Sequence, residues 1–141
     1  DGMDMSVCVI NKTKKEVEFS GAKNPLVYIQ DNQAHVIKGD KVSVGGMQTE
    51  KERYFTRHTI PVDRPTWFYI FSDGYIDQFG GPKNRKFLLK NLKNLLLEIH
   101  QKPQEDQEKL LSDKLLEWMG NKESQIDDIV VIGFKLEPNH G

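Results

Sequence analysis

Apolar and polar positions alternate with a period of two through the first quarter of the chain. Met5, Val7 and Val9 alternate with Ser6, Cys8 and Ile10; after the polar stretch 11–15, Val17 and Phe19 alternate with Glu16 and Glu18. A period of two marks strands with one face turned to a core. Residues 21–25, from Gly21 to Pro25, break the pattern. Residues 26–30 and 34–38, separated by Asp31-Asn32-Gln33, predict a third and a fourth strand, and the four together predict an antiparallel meander with two tight hairpins. Residues 39–51 carry Gly39, Gly45 and Gly46 among polar neighbours and read as loop. Residues 54–62 predict a strand closed by Pro61 and Pro65. Residues 66–72 are apolar on both faces, with Trp67, Tyr69 and Phe71 on one and Phe68 and Ile70 on the other. Such a strand is central and covered on both sides.

The period then changes. Leu88, Leu92, Leu95, Leu96 and Ile99 fall at i, i+4, i+7, i+8 and i+11, which predicts a helix over 84–101. Leu111, Leu115, Trp118 and Met119 repeat the spacing and predict a second helix over 104–119, with Pro103 at the break and Gly120 just past the end. So short a link makes the two antiparallel neighbours. Residues 129–136 predict a last strand, with Val130, Ile132, Phe134 and Leu136 on one face and Ile129 and Val131 on the other. Residues 137–141 form a polar tail that frays. Strands, a helical hairpin and a final strand make an α+β layout, an antiparallel sheet with helices on one side. The doubly apolar strands call for a second sheet or a second helical layer on the other.

Composition narrows the function. At 141 residues the chain is one domain over 1–141, and its 29% charged residues exclude wholesale disorder. The net charge of −1 leaves no basic excess to hold a phosphate backbone, which argues against nucleic acid. The single cysteine, Cys8, excludes an internal disulfide and a multi-cysteine zinc site, and suits a reducing cytoplasm. Apolar stretches are too short to span a bilayer, and the first residues are not a signal peptide. A start at Asp1 reads as a chain cut from something longer.

The candidate chemistry lies at two strand ends. Residues 66–72 run into Asp73-Gly74, and the last strand follows Asp127-Asp128. A helical hairpin returns the chain to the end it left. If the last strand pairs antiparallel to 66–72, Asp73 and Asp127 project from one rim. Clustered carboxylates repel unless protonated or bridged by a cation, and oxygen donors select a hard ion such as Mg²⁺ or Mn²⁺. The plainer alternative is a turn at Asp73-Gly74 and a solvated Asp127-Asp128 pair. His35, His58, His100 and His140 show no ligand spacing; His35 and His100 read as surface residues, and Cys8 as a buried structural thiol. Ser72 lacks a triad, and Gly45-Gly46 and Gly80-Gly81-Pro82 lack a P-loop lysine–hydroxyl pair. Lys83, Arg85 and Lys86 read as solvated charge at a helix start, with attraction of an anionic phosphoprotein as the alternative.

Residues 71–77, Phe-Ser-Asp-Gly-Tyr-Ile-Asp, resemble the Ser/Thr-Asp-Gly signature of metal-dependent PPM-type serine/threonine phosphatases, in their bacterial SpoIIE-like branch. Residues 127–131, Asp-Asp-Ile-Val-Val, resemble the family's terminal strand; Gly21-Ala22-Lys23-Asn24-Pro25 resembles its Asn-Pro turn, and 39–46 its glycine loop. The resemblance implies two antiparallel sheets in a sandwich flanked by a helical pair, with a two-metal Mn²⁺ or Mg²⁺ site at one rim. It implies Asp73 and Asp127 as metal ligands, Asp128 in place of Asp127 if the register slips by one, Gly74 for the loop geometry and Asp77 beside the metals. Metal-activated water would attack a phosphoserine or phosphothreonine directly, with no catalytic side chain and no phosphoenzyme. The implied partner is a phosphorylated regulatory protein, of an anti-anti-sigma type, in bacterial signalling in the cytoplasm, with a sensor domain upstream and no direct membrane contact from this segment. The family's metal-bridging Asp and its Gly-His-Gly do not occur here, and Lys23 and Val130 depart from its usual residues. The resemblance therefore implies a C-terminal part of a domain, N-terminally truncated and inactive alone, or else a non-catalytic pseudophosphatase that binds a partner. An opened sandwich exposes apolar faces, from which a homodimer is expected.

Overall fold

The computed structural model describes residues 3–41, 55–121, 123–125 and 127–138. In chain order the elements are β1 (Met5–Asn11), β2 (Glu16–Ala22), β3 (Leu26–Gln30), β4 (Gln33–Ile37), β5 (His58–Pro61), β6 (Thr66–Phe71), β7 (Phe79–Gly80), β8 (Arg85–Lys86), α1 (Leu89–Ile99), α2 (Gln104–Met119) and β9 (Val131–Leu136). Tyr54, His140, the Gly45-Gly46 pair and most of the 39–51 loop lie outside the described residues, as does the end of the polar tail.

Both predicted hairpins are present. β1 and β2 pair antiparallel from Met5↔Ala22 to Asn11↔Glu16, and β3 and β4 from Leu26↔Ile37 to Gln30↔Gln33. The second hairpin closes on Asp31 and Asn32 alone, both at positive φ (51° and 59°), which gives the turn the twist that flanking strands need. The four strands do not form one meander, however. β1-β2-β5 make one antiparallel sheet and β4-β3-β6-β9 another, and residues 21–25 carry the chain between them. The corner is tight: a Cβ on Gly21 would stand 2.3 Å from the Asn24 carbonyl oxygen. Pro25 has no N–H to continue a ladder.

The two sheets face each other across a core of Val17, Phe19, Leu26, Ile60, Val62 and Phe68. A second core lies between the four-stranded sheet and the helices, built on Val27, Ile29, Tyr69, Phe71, Leu92, Leu96 and Ile99. β6 therefore buries Phe68 toward one core and Tyr69 and Phe71 toward the other, as its doubly apolar pattern predicts, between β3 and β9. The layer beyond it is a second sheet.

Several boundaries differ from the expected ones. The strand over 54–62 shortens to β5, and the last strand starts at Val131. The first helix starts at Leu89 instead of residue 84, because residues 79–86 form a β-ribbon turned by Gly81 (φ 74°) and Asn84 (φ 49°). Lys83, Arg85 and Lys86 thus lie on this ribbon. Leu88 continues the leucine spacing but stands at φ 78° and is exposed, while Leu92, Leu95, Leu96 and Ile99 are buried. α2 spans the predicted residues and ends at Gly120 (φ 61°).

Two side chains also differ. His100 is 3% exposed instead of lying on the surface. Its Nδ1 lies 2.6 Å from the Leu97 carbonyl oxygen and its ring meets Trp67 edge-on, so the end of α1 is pinned against β6. Cys8 is only half-buried, and that burial raises its thiol pKa. No helix among the described residues is long and apolar enough to cross a membrane.

Candidate functional site

The end of β6 and the start of β9 are bonded by one side chain. The β6–β9 ladder runs from Thr66↔Leu136 to Phe71↔Val131. Ser72 extends it: its N–H donates to the Val130 carbonyl oxygen (3.0 Å), and its Oγ accepts from the Val130 N–H (3.0 Å) and donates to the Asp128 carbonyl oxygen (3.0 Å). The next two residues turn against that segment. A Cβ on Gly74 would stand 2.1 Å from the Asp128 carbonyl oxygen, so only glycine lets the turn and the strand start approach this closely. The Asp77 N–H closes the turn by donating to the Asp73 carbonyl oxygen at 2.9 Å.

This brings Asp73 and Asp127, 54 positions apart in sequence, within electrostatic reach. Burial, and then the charges of Asp77, Asp4 and Asp127, raise the Asp73 carboxyl pKa above its ordinary value, while Lys23 acts in the opposite direction. Asp77 also pairs with Lys86 (Nζ–Oδ1 3.5 Å), which holds the ribbon to the turn. The Asp127 carboxylate accepts the Asp128 N–H (2.8 Å). Asp128 is exposed, takes part through its backbone, and is not among the charges that act on Asp73.

The sequence pattern missed two residues of the rim. Asp4 and Lys23 flank Met5↔Ala22, the last pair of the β1–β2 ladder, and so arrive at one end of the other sheet. The hairpin was legible; its register, which sets these two beside Asp73, was not.

The side chains gathered here are carboxylates, one of them raised in pKa by burial and then by its acidic neighbours, a chemistry that suits a hard divalent cation. Among the described residues, no three acidic, histidine or cysteine side chains stand together closely enough to enclose a metal. An ion bound at Asp73 and Asp127 would therefore find only part of a coordination shell in these carboxylates and would take its remaining ligands from water or from other residues.

The SpoIIE family model, described as stage II sporulation protein E, matches residues 2–137. No curated protein matches significantly. Among solved structures, the SiaA-PP2C domain of Pseudomonas aeruginosa superposes with a TM-score of 0.81 at 23% identity, over 93% of this chain and 50% of that one. The phosphatase domain of the cell fate determinant SpoIIE from Bacillus subtilis superposes at 0.69 and 13% identity, over 98% of this chain and 60% of that one. A manganese-presoaked form of it gives the same TM-score and identity. The chain thus spans about half to three-fifths of these phosphatase-domain structures. The helix-flanked sandwich is therefore a PP2C-type fold, and the chain belongs to the SpoIIE family.

Proposed function

We propose that this chain is the C-terminal part of a metal-dependent protein serine/threonine phosphatase domain. The observation that carries the reading is the convergence of Asp73 and Asp127 from the ends of adjacent antiparallel strands. Asp73 and Asp127 would hold Mn²⁺ or Mg²⁺, with Asp77 beside them and Asp128 available one position on. When bound, such ions lower the pKa of water and neutralise phosphoryl oxygens. The chain's own contribution is geometric. Ser72 fixes the spacing of the two strand ends, Gly74 admits the close approach, and the Lys86–Asp77 pair holds the turn over the ribbon. The substrate class is a phosphoserine or phosphothreonine on a regulatory protein, in the cytoplasm.

The test is Mn²⁺-dependent hydrolysis of an aryl phosphate by the full-length protein. Asp73→Asn is expected to lower kcat at least about 100-fold, as loss of a metal ligand does. Turnover that needs no Mn²⁺, or that survives Asp73→Asn, would overturn the assignment. These 141 residues alone are expected to be inactive, since they contain no Gly-His-Gly segment and no three ligands that close a site among the described residues. The same two observations favour the second reading, a non-catalytic module that keeps the fold and binds a partner. Mn²⁺-dependent turnover by the full-length protein decides between them.

A further inference from the structure

We propose that Lys23, at the corner between the two sheets, is the cation that receives the phosphoryl group of the substrate at the Asp73 rim. This rests on the phosphatase reading and adds a substrate-positioning residue to it. Three observations carry it. The first is conformation: Lys23 sits at φ 68°, in the left-handed region that a β-carbon disfavours. Lysine gains nothing there that glycine would not supply more cheaply, and such outliers persist where the surroundings over-determine them.

The second is that the surroundings do so. The Lys23 N–H donates to the Asp40 carbonyl oxygen (2.7 Å), and the Asp40 N–H donates to the Gly21 carbonyl oxygen (2.7 Å). These bonds clamp the corner to the segment after β4. The approach demands Gly39, where a Cβ would stand 2.6 Å from the Asn24 carbonyl oxygen. The corner is therefore a fixed point that presents an exposed ammonium.

The third is position. Lys23 and Asp73 each stand three residues beyond Leu26↔Ile70, the last pair of the antiparallel β3–β6 ladder, and so lie off the same end of the four-stranded sheet; among the described residues Lys23 is the one cation whose charge acts on Asp73. Lys86, by contrast, is engaged with Asp77. A phosphomonoester bound beside Asp73 brings two negative charges to a rim that already carries several. A fixed ammonium there offsets that repulsion and donates up to three hydrogen bonds to phosphoryl oxygens. The bond-breaking step is untouched; Lys23 sets where the dianion rests.

The experiment compares Lys23→Met, Lys23→Arg and Lys23→Gly in the full-length protein. The readouts are KM and kcat for an aryl phosphate, the inhibition constant of inorganic phosphate, and Mn²⁺ affinity by electron paramagnetic resonance. Lys23→Gly relieves the positive φ and guards against loss of fold; its Tm should not fall. Met and Gly are expected to raise KM and the phosphate inhibition constant about tenfold, the loss of one charge-assisted contact, with kcat within about threefold. Arg should recover most of the loss, and Mn²⁺ should bind as tightly or more tightly. Unchanged KM and phosphate inhibition with tighter Mn²⁺ would overturn the proposal and leave Lys23 as a mere counter-charge to Asp73. Absence of Mn²⁺-dependent turnover in the unsubstituted protein is a separate result that defeats the phosphatase reading. Direct titration with inorganic phosphate then decides the Lys23 claim, which falls if phosphate does not bind.

Discussion

The two sheets obey the same alternation and meet different fates. The four-stranded sheet buries both faces: Phe68 turns to the other sheet, and Val27, Ile29, Tyr69 and Phe71 turn to α1 and α2. The three-stranded sheet buries only its inner face. In β1 the more apolar face points outward, with Met5, Val7 and Val9 exposed at 42%, 41% and 51%. The register dictates this. Cys8 pairs with Phe19 and Ile10 with Val17, cross-strand partners share a face, and Phe19 and Val17 are wholly buried. Alternation tells which side chains share a face. Which face is covered depends on the layers stacked against it.

The sharpest way to break this contrast is to cut into each face. Phe68 stacks on Phe134 at 5.2 Å in the core the sheets share. Phe68→Ala is expected to cost about 3–5 kcal/mol, a large share of a domain's total stability. Val7→Ser on the bare face should cost less than about 0.5 kcal/mol. Urea unfolding of both variants checks this. Equal losses would mean that another surface, such as the second copy expected in a homodimer, covers the outer face of β1 in solution. A concentration-dependent midpoint would identify such a copy.

The covered sheet also holds the rim, and its weak point is a glycine. Gly74→Ala would place a methyl 2.1 Å from the Asp128 carbonyl oxygen, a backbone atom that has no rotamer to escape into. A loss of about 2–3 kcal/mol is expected, together with separation of Asp73 from Asp127. Thermal unfolding and Mn²⁺ affinity should fall together. A stable variant with unchanged Mn²⁺ affinity would show that the close approach is dispensable.

The covered sheet was the more legible of the two, for a physical reason. β6 announces itself because both its faces are apolar, and the leucine spacing of α1 and α2 has no competing reading. Asp73 and Asp127 could be brought together on paper because strand ends and a helical return fix them without side-chain detail. Leu88 misled because it continues the leucine spacing, while the two-residue strands β7 and β8 are too short to show any period. The burial of His100 depends on Trp67, 33 positions earlier, and no local pattern carries that. Asp4 and Lys23 needed the hairpin register, and sequence fixes a hairpin more readily than its register. The exposure of the Met5 face needed the number of layers.

A smaller effect is expected at Ser72. Ser72→Ala removes an Oγ that bonds both the Asp128 carbonyl oxygen and the Val130 N–H. Both partners lie near solvent, so the loss is expected at about 1 kcal/mol. Hydrogen exchange should quicken at Val130 while the amides of β3 hold. Unchanged protection at Val130 would mean that the ladder closes without the side chain.

The smallest effect has the opposite sign. The folded state raises the Asp73 carboxyl pKa by burial and by its acidic neighbours. Between the unfolded and folded pKa values the native state therefore binds more protons than the unfolded one, and stability falls as pH rises through that window. Above it the loss is constant. In metal-free protein at pH 7, Asp73→Asn removes the loss and should raise Tm slightly, since solvent screening keeps the effect small. Near pH 3 both states of the parent carry the proton and the gain should vanish. Added Mn²⁺ should reverse the order, because it stabilises the parent and finds one carboxylate fewer in the variant. On the bare sheet, Glu18 sits in a loose pair with Arg57 at 3.8 Å, and Glu18→Gln should change Tm little, with or without the ion. Calorimetry across pH with and without Mn²⁺ separates the two residues. If both carboxylates respond to Mn²⁺ alike, the ion is binding to surface charge in general and the rim is no site.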